Sequence, residues 1–237
     1  MIKGLLFFLL LCTPPAKGHI NIDLTPEYDE SYTAEVDPYS PRGLKVSYLS
    51  SVMIQSVSDG VPQGFGSGNY FKLGKHRFII TAAHVVSGDY DIKILERGFR
   101  MVTAKVVMVD NNTDIAILVP EERLKYTKPI PFRRDIVNQM GERVYHTGHP
   151  AREGWHISEG ILSGTQNDVL LINTFAWPGS SGSVVFDETG RVVGVLSSIR
   201  MDGPFGIPEL IEHIVLAGNI KTLSQETLKS VLSDGSN

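Results

Sequence analysis

Residues 78–86 read Phe-Ile-Ile-Thr-Ala-Ala-His-Val-Val, an apolar run that ends in two alanines and a histidine. Phe, Ile and Thr are favoured in strands, so the run predicts a buried strand that carries His84 at its end. The two alanines leave room for another part of the chain to pack closely beneath the imidazole. A histidine in this setting is, by itself, more often structural than catalytic, so its partners elsewhere in the sequence decide its role.

A carboxylate and a hydroxyl occur in two further segments of the same kind. Residues 111–118, Asn-Asn-Thr-Asp-Ile-Ala-Ile-Leu, place Asp114 at the head of an apolar strand. An acid in that position is costly unless it is hydrogen-bonded, and an imidazole N–H is a natural donor. Residues 178–185, Pro-Gly-Ser-Ser-Gly-Ser-Val-Val, place Ser181 in a Gly/Ser turn that leads into a strand.

These three side chains fit the chemistry of an activated serine. A serine hydroxyl is a poor nucleophile at neutral pH, so His84 is expected to take the proton of Ser181 while Asp114 orients the imidazole. The backbone N–H groups of Gly179 and Ser181 are the expected donors to the oxyanion, since glycine permits the turn and leaves the substrate unobstructed. Loss of one such donor typically costs about 3–4 kcal/mol of transition-state stabilisation.

Rival residues lie close to two of the three positions. Asp110 competes with Asp114, but only Asp114 directly precedes the apolar strand. Ser180 and Ser183 compete with Ser181, but only Ser181 is followed directly by glycine and preceded by Pro-Gly at the required distance. The order His, Asp, Ser also differs from that of nucleophile-elbow hydrolases, in which the serine comes first.

Short strand-like runs fill the chain from residue 51 to residue 197 and predict an all-β fold. They are rich in Val, Ile, Phe and Tyr, and Gly, Asn and Asp separate them. The runs are Ser51–Val57, Gly68–Leu73, Phe78–Thr81, Ile92–Leu95, Val102–Val109, Ala116–Val119, Arg143–His146, Gly160–Gly164, Val169–Asn173, Ser183–Phe186 and Val192–Ser197.

The end of the chain has a different pattern. Residues Pro208–Ala217 and Leu223–Ser233 are predicted to be helical. In the first segment, apolar residues fall at i, i+1, i+4 and i+5 and form a single helical face. These residues are Leu210, Ile211, Ile214 and Val215.

The composition excludes several classes of protein. The 237 residues include 22 Lys and Arg against 26 Asp and Glu, a net charge of −4, so we expect no nucleic-acid partner. A single cysteine excludes a disulfide framework and a cysteine-based zinc site. His146 and His149 have no carboxylate at a matching position and are predicted to be loop histidines, so we expect neither a metal nor a cofactor.

The first residues predict export. One lysine precedes a short apolar run and two prolines, so residues 1–18 are predicted to be a signal peptide cleaved after Gly18. Lipidation at Cys12 is the less favoured alternative, and the apolar run is too short for a stable membrane span. A secreted or periplasmic location follows. Residues 19–43 are rich in acids and prolines and are predicted to be an extended arm or a pro-segment, with Arg42-Gly43 as a cut point.

Taken together, the motifs resemble those of trypsin-like, chymotrypsin-fold serine peptidases, most closely the compact HtrA/Deg-like branch without a PDZ domain. The segments that carry the resemblance are Gly66-Ser67-Gly68, Thr81-Ala82-Ala83-His84-Val85, Asp114-Ile115-Ala116-Ile117-Leu118, Gly148-His149-Pro150, Glu159-Gly160-Ile161-Leu162-Ser163, Pro178-Gly179-Ser180-Ser181-Gly182, Gly194-Val195-Leu196-Ser197 and Phe205-Gly206-Ile207-Pro208. The resemblance implies two packed antiparallel six-stranded β-barrels with the site in the cleft between them. His84 and Asp114 would come from the first barrel and Ser181 from the second.

The resemblance also implies a substrate pocket formed by Phe175, Ser197 and Ile199. Phe175 stands where digestive trypsins carry an aspartate at the pocket floor, so a preference for Arg or Lys is not expected. Ile199 stands where those enzymes carry a glycine that keeps the pocket open. We therefore expect a shallow or apolar pocket that takes small or apolar side chains.

The resemblance thus predicts an exported serine endopeptidase that needs no cofactor and acts on polypeptides. A non-catalytic peptide-binding protein of the same fold and a self-processing protease are the alternatives. The predicted peptidase domain spans residues 44–217, with its barrels divided near residues 125–140, and residues 218–237 form a helical tail. The oligomeric state is left open.

Overall fold

The computed structural model of the chain describes residues 36–134, 139–166, 169–202 and 209–234. The predicted signal peptide, Cys12 and most of the predicted arm lie outside these residues. Within the described ranges, no helix has the length and apolar character needed to cross a bilayer.

The first half of the described chain forms a closed antiparallel barrel. Its strands follow the order β1-β4-β5-β6-β3-β2, and pairing of β1 with β2 closes the ring. A short strand β7 adds to β2 in parallel. The strands are β1 Ser51–Ser58, β2 Val61–Leu73, β3 His76–Thr81, β4 Asp91–Leu95, β5 Met101–Asp110, β6 Ile115–Pro120 and β7 Ile130–Pro131.

The second half forms another closed six-stranded barrel in the order β10-β13-β12-β11-β8-β9. Closure satisfies the backbone hydrogen bonds of every strand and leaves no long free edge. The strands are β8 Arg143–Gly148, β9 His156–Gln166, β10 Val169–Asn173, β11 Val184–Asp187, β12 Val192–Asp202 and β13 Glu209–Asn219. The predicted two-barrel fold is therefore confirmed, and each of the predicted strand runs overlaps an observed strand.

Three α-helices accompany the barrels in the described chain: α1 Arg42–Ser50, α2 Ala83–Val86 and α3 Gln225–Asp234. Helix α3 confirms the predicted C-terminal helix, whereas α1 was not predicted from the sequence. Short 3-10 turns occupy Arg97–Phe99, Pro150–Arg152 and Ile220–Thr222.

The helix predicted over Pro208–Ala217 is wrong. Residues Glu209–Asn219 form strand β13, which pairs with β12 on one side and β10 on the other. A central strand position satisfies the backbone on both edges, and this tertiary pairing overrides an apolar spacing that also fits one face of a helix.

Aromatic packing joins the two barrels at their core. Phe71 of β2 stacks on Phe78 of β3 with ring centroids 5.8 Å apart, and its edge meets Phe132 at 5.7 Å. Phe186 of β11 approaches the same ring at 6.1 Å. All four rings are almost completely buried, so the second barrel contributes directly to the core of the first.

Phe71→Ala should destabilise the protein by about 3–5 kcal/mol, because it removes a fully buried ring from the centre of this cluster and leaves a cavity. Urea unfolding measures the change. Tyr39→Ala is the control, since Tyr39 is 94% exposed and its loss should change the free energy of unfolding by less than about 0.5 kcal/mol. Equal effects of the two substitutions would contradict the packing described.

Candidate active site

His84 and Asp114 form a close pair in the first barrel. His84 lies in α2, directly after β3, and Asp114 directly precedes β6. The His84 Nδ1 atom lies 2.7 Å from Asp114 Oδ2, and the His84 backbone N–H donates to Asp114 Oδ1 at 2.9 Å. An ionised carboxylate only accepts hydrogen bonds, so Nδ1 carries the proton and Nε2 keeps its lone pair.

The surroundings of Asp114 favour its ionised form. Burial alone raises the pKa of the carboxyl, but the hydrogen bond and charge of the His84 side chain, with the hydroxyl of Ser197, outweigh it and lower the pKa below its usual value. The rival Asp110 instead accepts hydrogen bonds from Asn112 N–H and the Thr113 hydroxyl, which makes it a turn cap.

Ser197 connects this pair with Ser181. The Ser197 hydroxyl donates to Asp114 Oδ2 at 2.5 Å, and its backbone carbonyl accepts from the Ser181 hydroxyl at 3.4 Å. The sequence predicted Ser197 as a pocket residue, but its hydroxyl is bonded to the acid. Among the described residues, the Ser181 hydroxyl makes this one hydrogen bond and none to His84. A loose nucleophile–base contact is common before substrate binds.

The turn that carries Ser181 leaves two of its backbone donors unused. Ser180 N–H donates to Trp177 O, Gly182 N–H to Leu196 O and Ser183 N–H to Ser180 O. Within the described part of the chain, Gly179 N–H and Ser181 N–H have no acceptor. These are the two groups that the sequence predicted as oxyanion donors.

The orientation of both free donors is fixed from the opposite side of each peptide plane. The carbonyl of Pro178 accepts from Ala151 N–H at 2.8 Å, and the carbonyl of Ser180 accepts from Ser183 N–H at 3.0 Å. In a trans peptide the C=O and N–H bonds point in opposite directions. Holding these two carbonyls therefore turns the N–H groups of Gly179 and Ser181 away from the protein groups that fix the turn.

Glycine is required at two positions of the turn. Gly179 has φ +102°, and a Cβ there would lie 2.4 Å from the His149 carbonyl oxygen. Gly182 has φ +87°, and its Cβ would lie 2.2 Å from Ser67 O and 2.3 Å from Thr81 Oγ1. The turn thus packs directly against the end of β3 that leads to His84.

The other predicted pocket residues lie on the second barrel. Phe175 follows β10 and is 53% exposed, and the nearby Trp177 is 47% exposed. Ile199 is half-buried in β12, where it pairs with Val215 of β13. Their part in a substrate pocket stays a prediction.

The structure corrects the prediction of His146 as a loop histidine, whereas His149 lies in the connection that follows β8. His146 lies in β8, and both side chains are almost completely buried. Burial lowers the pKa of His146 to about 4 and that of His149 to about 3. His149 Nε2 lies 3.2 Å from the Ser51 hydroxyl, and its ring meets the edge of Trp155. No spacing in the sequence indicates the contact with Ser51, because Ser51 lies 98 residues away along the chain.

A family model for the trypsin-like peptidase domain matches residues 66–195, more than half of the 237-residue chain. The chain belongs to the trypsin-like peptidase family. This assignment confirms the predicted resemblance to trypsin-like peptidases.

Relatives of this chain include proteins named as Do-like or DegP-like proteases. The chain is 30% identical over 180 residues to a probable periplasmic serine endoprotease DegP-like of Bartonella henselae, covering 72% of this chain and 35% of that protein. It is 28% identical over 151 residues to Protease Do-like 1, chloroplastic, of Arabidopsis thaliana, covering 59% and 34%. The chain thus spans about a third of the length of these relatives.

Solved structures support the fold. The serine endoprotease from Yersinia pestis superposes with a TM-score of 0.65 at 23% identity, covering 85% of this chain and 69% of that chain. The HtrA-type protease AlgW with a tripeptide superposes with a TM-score of 0.65 at 21% identity, covering 81% and 63%.

The buried histidines predict a loss of stability in mild acid. In the unfolded chain a histidine takes up its proton near pH 6.5, whereas folded His146 stays neutral down to about pH 4. Below pH 6.5 the unfolded state therefore binds more protons than the folded state. The free energy of unfolding should decrease as the pH is lowered from 7 to about 4, by on the order of 3 kcal/mol from His146 alone. Asp114, whose folded pKa is lowered, adds its loss only at still lower pH.

Urea unfolding at a series of pH values between 7 and about 4 measures this slope. His146→Leu should make it shallower, while His156→Gln is the control, since the side chain of His156 is 48% exposed. A slope that His146→Leu leaves unchanged would contradict the assignment.

Proposed function

We propose that the protein is a serine endopeptidase that cleaves polypeptides through an acyl-enzyme. Ser181 is the nucleophile, His84 the general base and then the general acid, and Asp114 the group that orients the imidazole. The observation that carries the proposal is the pair of N–H groups, on Gly179 and Ser181, that have no acceptor within the described part of the chain. Such donors are what an oxyanion requires.

In the first half of the reaction, Ser181 Oγ forms a bond to the carbonyl carbon of the substrate while its proton passes to His84 Nε2. The carbonyl oxygen becomes an oxyanion that accepts from Gly179 N–H and Ser181 N–H. His84 then gives the proton to the leaving amine, and the peptide C–N bond breaks. Water repeats the sequence on the acyl-enzyme, with His84 again as base.

Asp114 supports both halves without itself changing protonation. Its hydrogen bond to His84 Nδ1 fixes the tautomer with Nε2 as acceptor, and its charge stabilises the imidazolium that forms. The lowered pKa of Asp114 keeps that charge at neutral pH, and the Ser197 hydroxyl holds the carboxylate from a second side.

The proposed substrates are polypeptides with a small or apolar side chain before the cleaved bond. The support is chemical, since Phe175 and Ile199 offer apolar groups and no carboxylate where the pocket is predicted. The DegP-like relatives are named periplasmic, which supports export of this chain to the periplasm or outside the cell.

A peptide-binding protein without catalysis is the second candidate, favoured by the absence of a described hydrogen bond between Ser181 and His84. Self-processing between Arg42 and Gly43 has less support. That bond lies in helix α1, and Gly43 is buried with its N–H bonded to Glu188 O. A peptide bond held in this way is inaccessible to a protease in the folded chain.

Ser181→Ala should abolish peptide hydrolysis and labelling by a fluorophosphonate probe while thermal unfolding stays close to that of the wild type. The matched control is Ser183→Ala, which removes a buried hydroxyl without a hydrogen-bond partner among the described residues and should leave activity intact. Labelling of folded wild-type protein at Ser181 excludes the binding-only candidate. Retained hydrolysis in Ser181→Ala, or an unlabelled folded wild type, would contradict the proposal.

Gly179→Ala should lower kcat by about 10²-fold or more, because the new Cβ meets the His149 carbonyl oxygen and turns the Gly179 N–H out of position. Gly154→Ala is the control, since open space surrounds a Cβ at that position in the adjacent loop. Steady-state hydrolysis of a peptide substrate gives kcat and KM for both variants. An unchanged kcat in folded Gly179→Ala would exclude this N–H as an oxyanion donor.

A further inference from the structure

Helix α1 contacts both barrels. One flank lies on the second barrel, where the Ser47 hydroxyl meets Thr147 Oγ1 at 2.9 Å and Gly43 N–H donates to Glu188 O at 3.1 Å. The contact is close, because a Cβ on Gly43 would lie 1.9 Å from Asp187 O. This flank therefore has no room to slide along β11.

The C-terminal end of α1 is held by the first barrel. The last carbonyls of a helix lack partners within the helix and need donors from elsewhere. Asn69 Nδ2 donates to Ser47 O at 2.9 Å, the guanidinium of Arg97 donates to Tyr48 O, and Lys128 N–H donates to Leu49 O at 3.1 Å. Arg97 also stacks on the Tyr48 ring, 3.6 Å from its centroid.

Asn69 extends this connection to the Ser181 turn. Its side chain is completely buried in β2 and forms three hydrogen bonds. Nδ2 donates to Ser47 O and to Ser50 Oγ, both at 2.9 Å, and Oδ1 accepts from Val184 N–H at 3.0 Å. One amide thus joins the end of α1 to the first residue of β11, three residues after Ser181.

We propose that Asn69 is a positioning residue, through which helix α1 sets the place of the Ser181 turn relative to His84. The inference rests on the proposed peptidase function and adds to it a group that touches neither substrate nor catalytic side chains. Because His84 and Ser181 come from different barrels, their separation depends on the contacts that join the barrels. A displacement of about 1 Å can cost about 10²-fold in rate.

The expected effect falls on kcat and not on KM. The N–H groups of Gly179 and Ser181 and the Ser181 hydroxyl stabilise the transition state more than they stabilise the bound substrate. A shift of the turn should therefore lower kcat and leave KM nearly unchanged. A purely structural role for Asn69 would lower stability and the amount of folded protein, but would leave the kcat of each folded molecule unchanged.

The test compares kcat, KM and the rate of fluorophosphonate labelling in two variants. Asn69→Leu removes all three hydrogen bonds at nearly constant volume and should lower kcat about 10-fold or more, with KM within about 3-fold. Ser50→Ala removes one hydrogen-bond partner of Asn69 on the helix side and should lower kcat about 3-fold. In the double variant Asn69→Leu/Ser50→Ala, kcat should equal that of Asn69→Leu alone, because Ser50 acts on the Ser181 turn through Asn69.

Two controls separate positioning from stability. Val102→Ala weakens the core of the first barrel in β5, which pairs with β4 and β6 and not with the strand of Asn69. Its kcat per folded molecule should match that of the wild type. Ser233→Ala breaks the same kind of bond as Ser50→Ala, from a serine hydroxyl to the carbonyl four residues earlier, but in α3. It should leave both kcat and KM unchanged.

Unchanged kcat in folded Asn69→Leu, beside an active wild type, would overturn this inference and leave the proposed function standing. If Asn69→Leu does not fold, Ser50→Ala decides, and a kcat equal to that of Ser233→Ala overturns the inference. A folded wild type that neither hydrolyses peptides nor reacts at Ser181 would overturn both proposals.

Discussion

Ser67 makes four hydrogen bonds at the point where the barrels meet, and the candidate site depends on them. Its N–H donates to Ser181 O at 2.7 Å and its hydroxyl donates to Gly179 O at 2.7 Å, so one residue of β2 holds both sides of the turn. The same hydroxyl accepts from His149 N–H, and its carbonyl accepts from Thr81 Oγ1. Because Thr81 ends the strand that leads to His84, these contacts connect the Ser181 turn directly to the segment that carries His84.

The backbone is strained at two residues near the Ser181 turn. Ala151 and Arg152 have φ of +52° and +67°, values that non-glycine residues rarely adopt. The strain is offset by contacts on both sides: Ala151 N–H donates to Pro178 O, and the Arg152 guanidinium lies 3.5 Å from the centroid of the Phe65 ring. Strain of this kind is retained where surrounding structure fixes it, and here it orients the peptide that presents Gly179 N–H.

The sequence was informative where local pattern and structure agree. Runs such as Phe78–Thr81 predicted their strands. Hydrogen bonds connect His84 with Asp114 and, through Ser197, Asp114 with Ser181, while the roles of these side chains stay a prediction. Prediction failed where residues distant in the sequence determine the local structure. Residues 209–219 have a spacing that fits helix or strand, and pairing with β10 and β12 makes them a strand. Helix α1 is short, and donors from outside it, such as Asn69, bind its last carbonyls, so no local signal in the sequence indicates it.

The most direct test of the account is the structure of the protein after reaction with a phosphonate inhibitor. The account predicts a phosphorus–oxygen bond at Ser181 Oγ and a phosphoryl oxygen about 3 Å from both Gly179 N and Ser181 N. It also predicts that His84 Nε2 faces the adduct while Nδ1 stays on Asp114. A phosphoryl oxygen directed away from those two N–H groups, or an adduct on another residue, would contradict it.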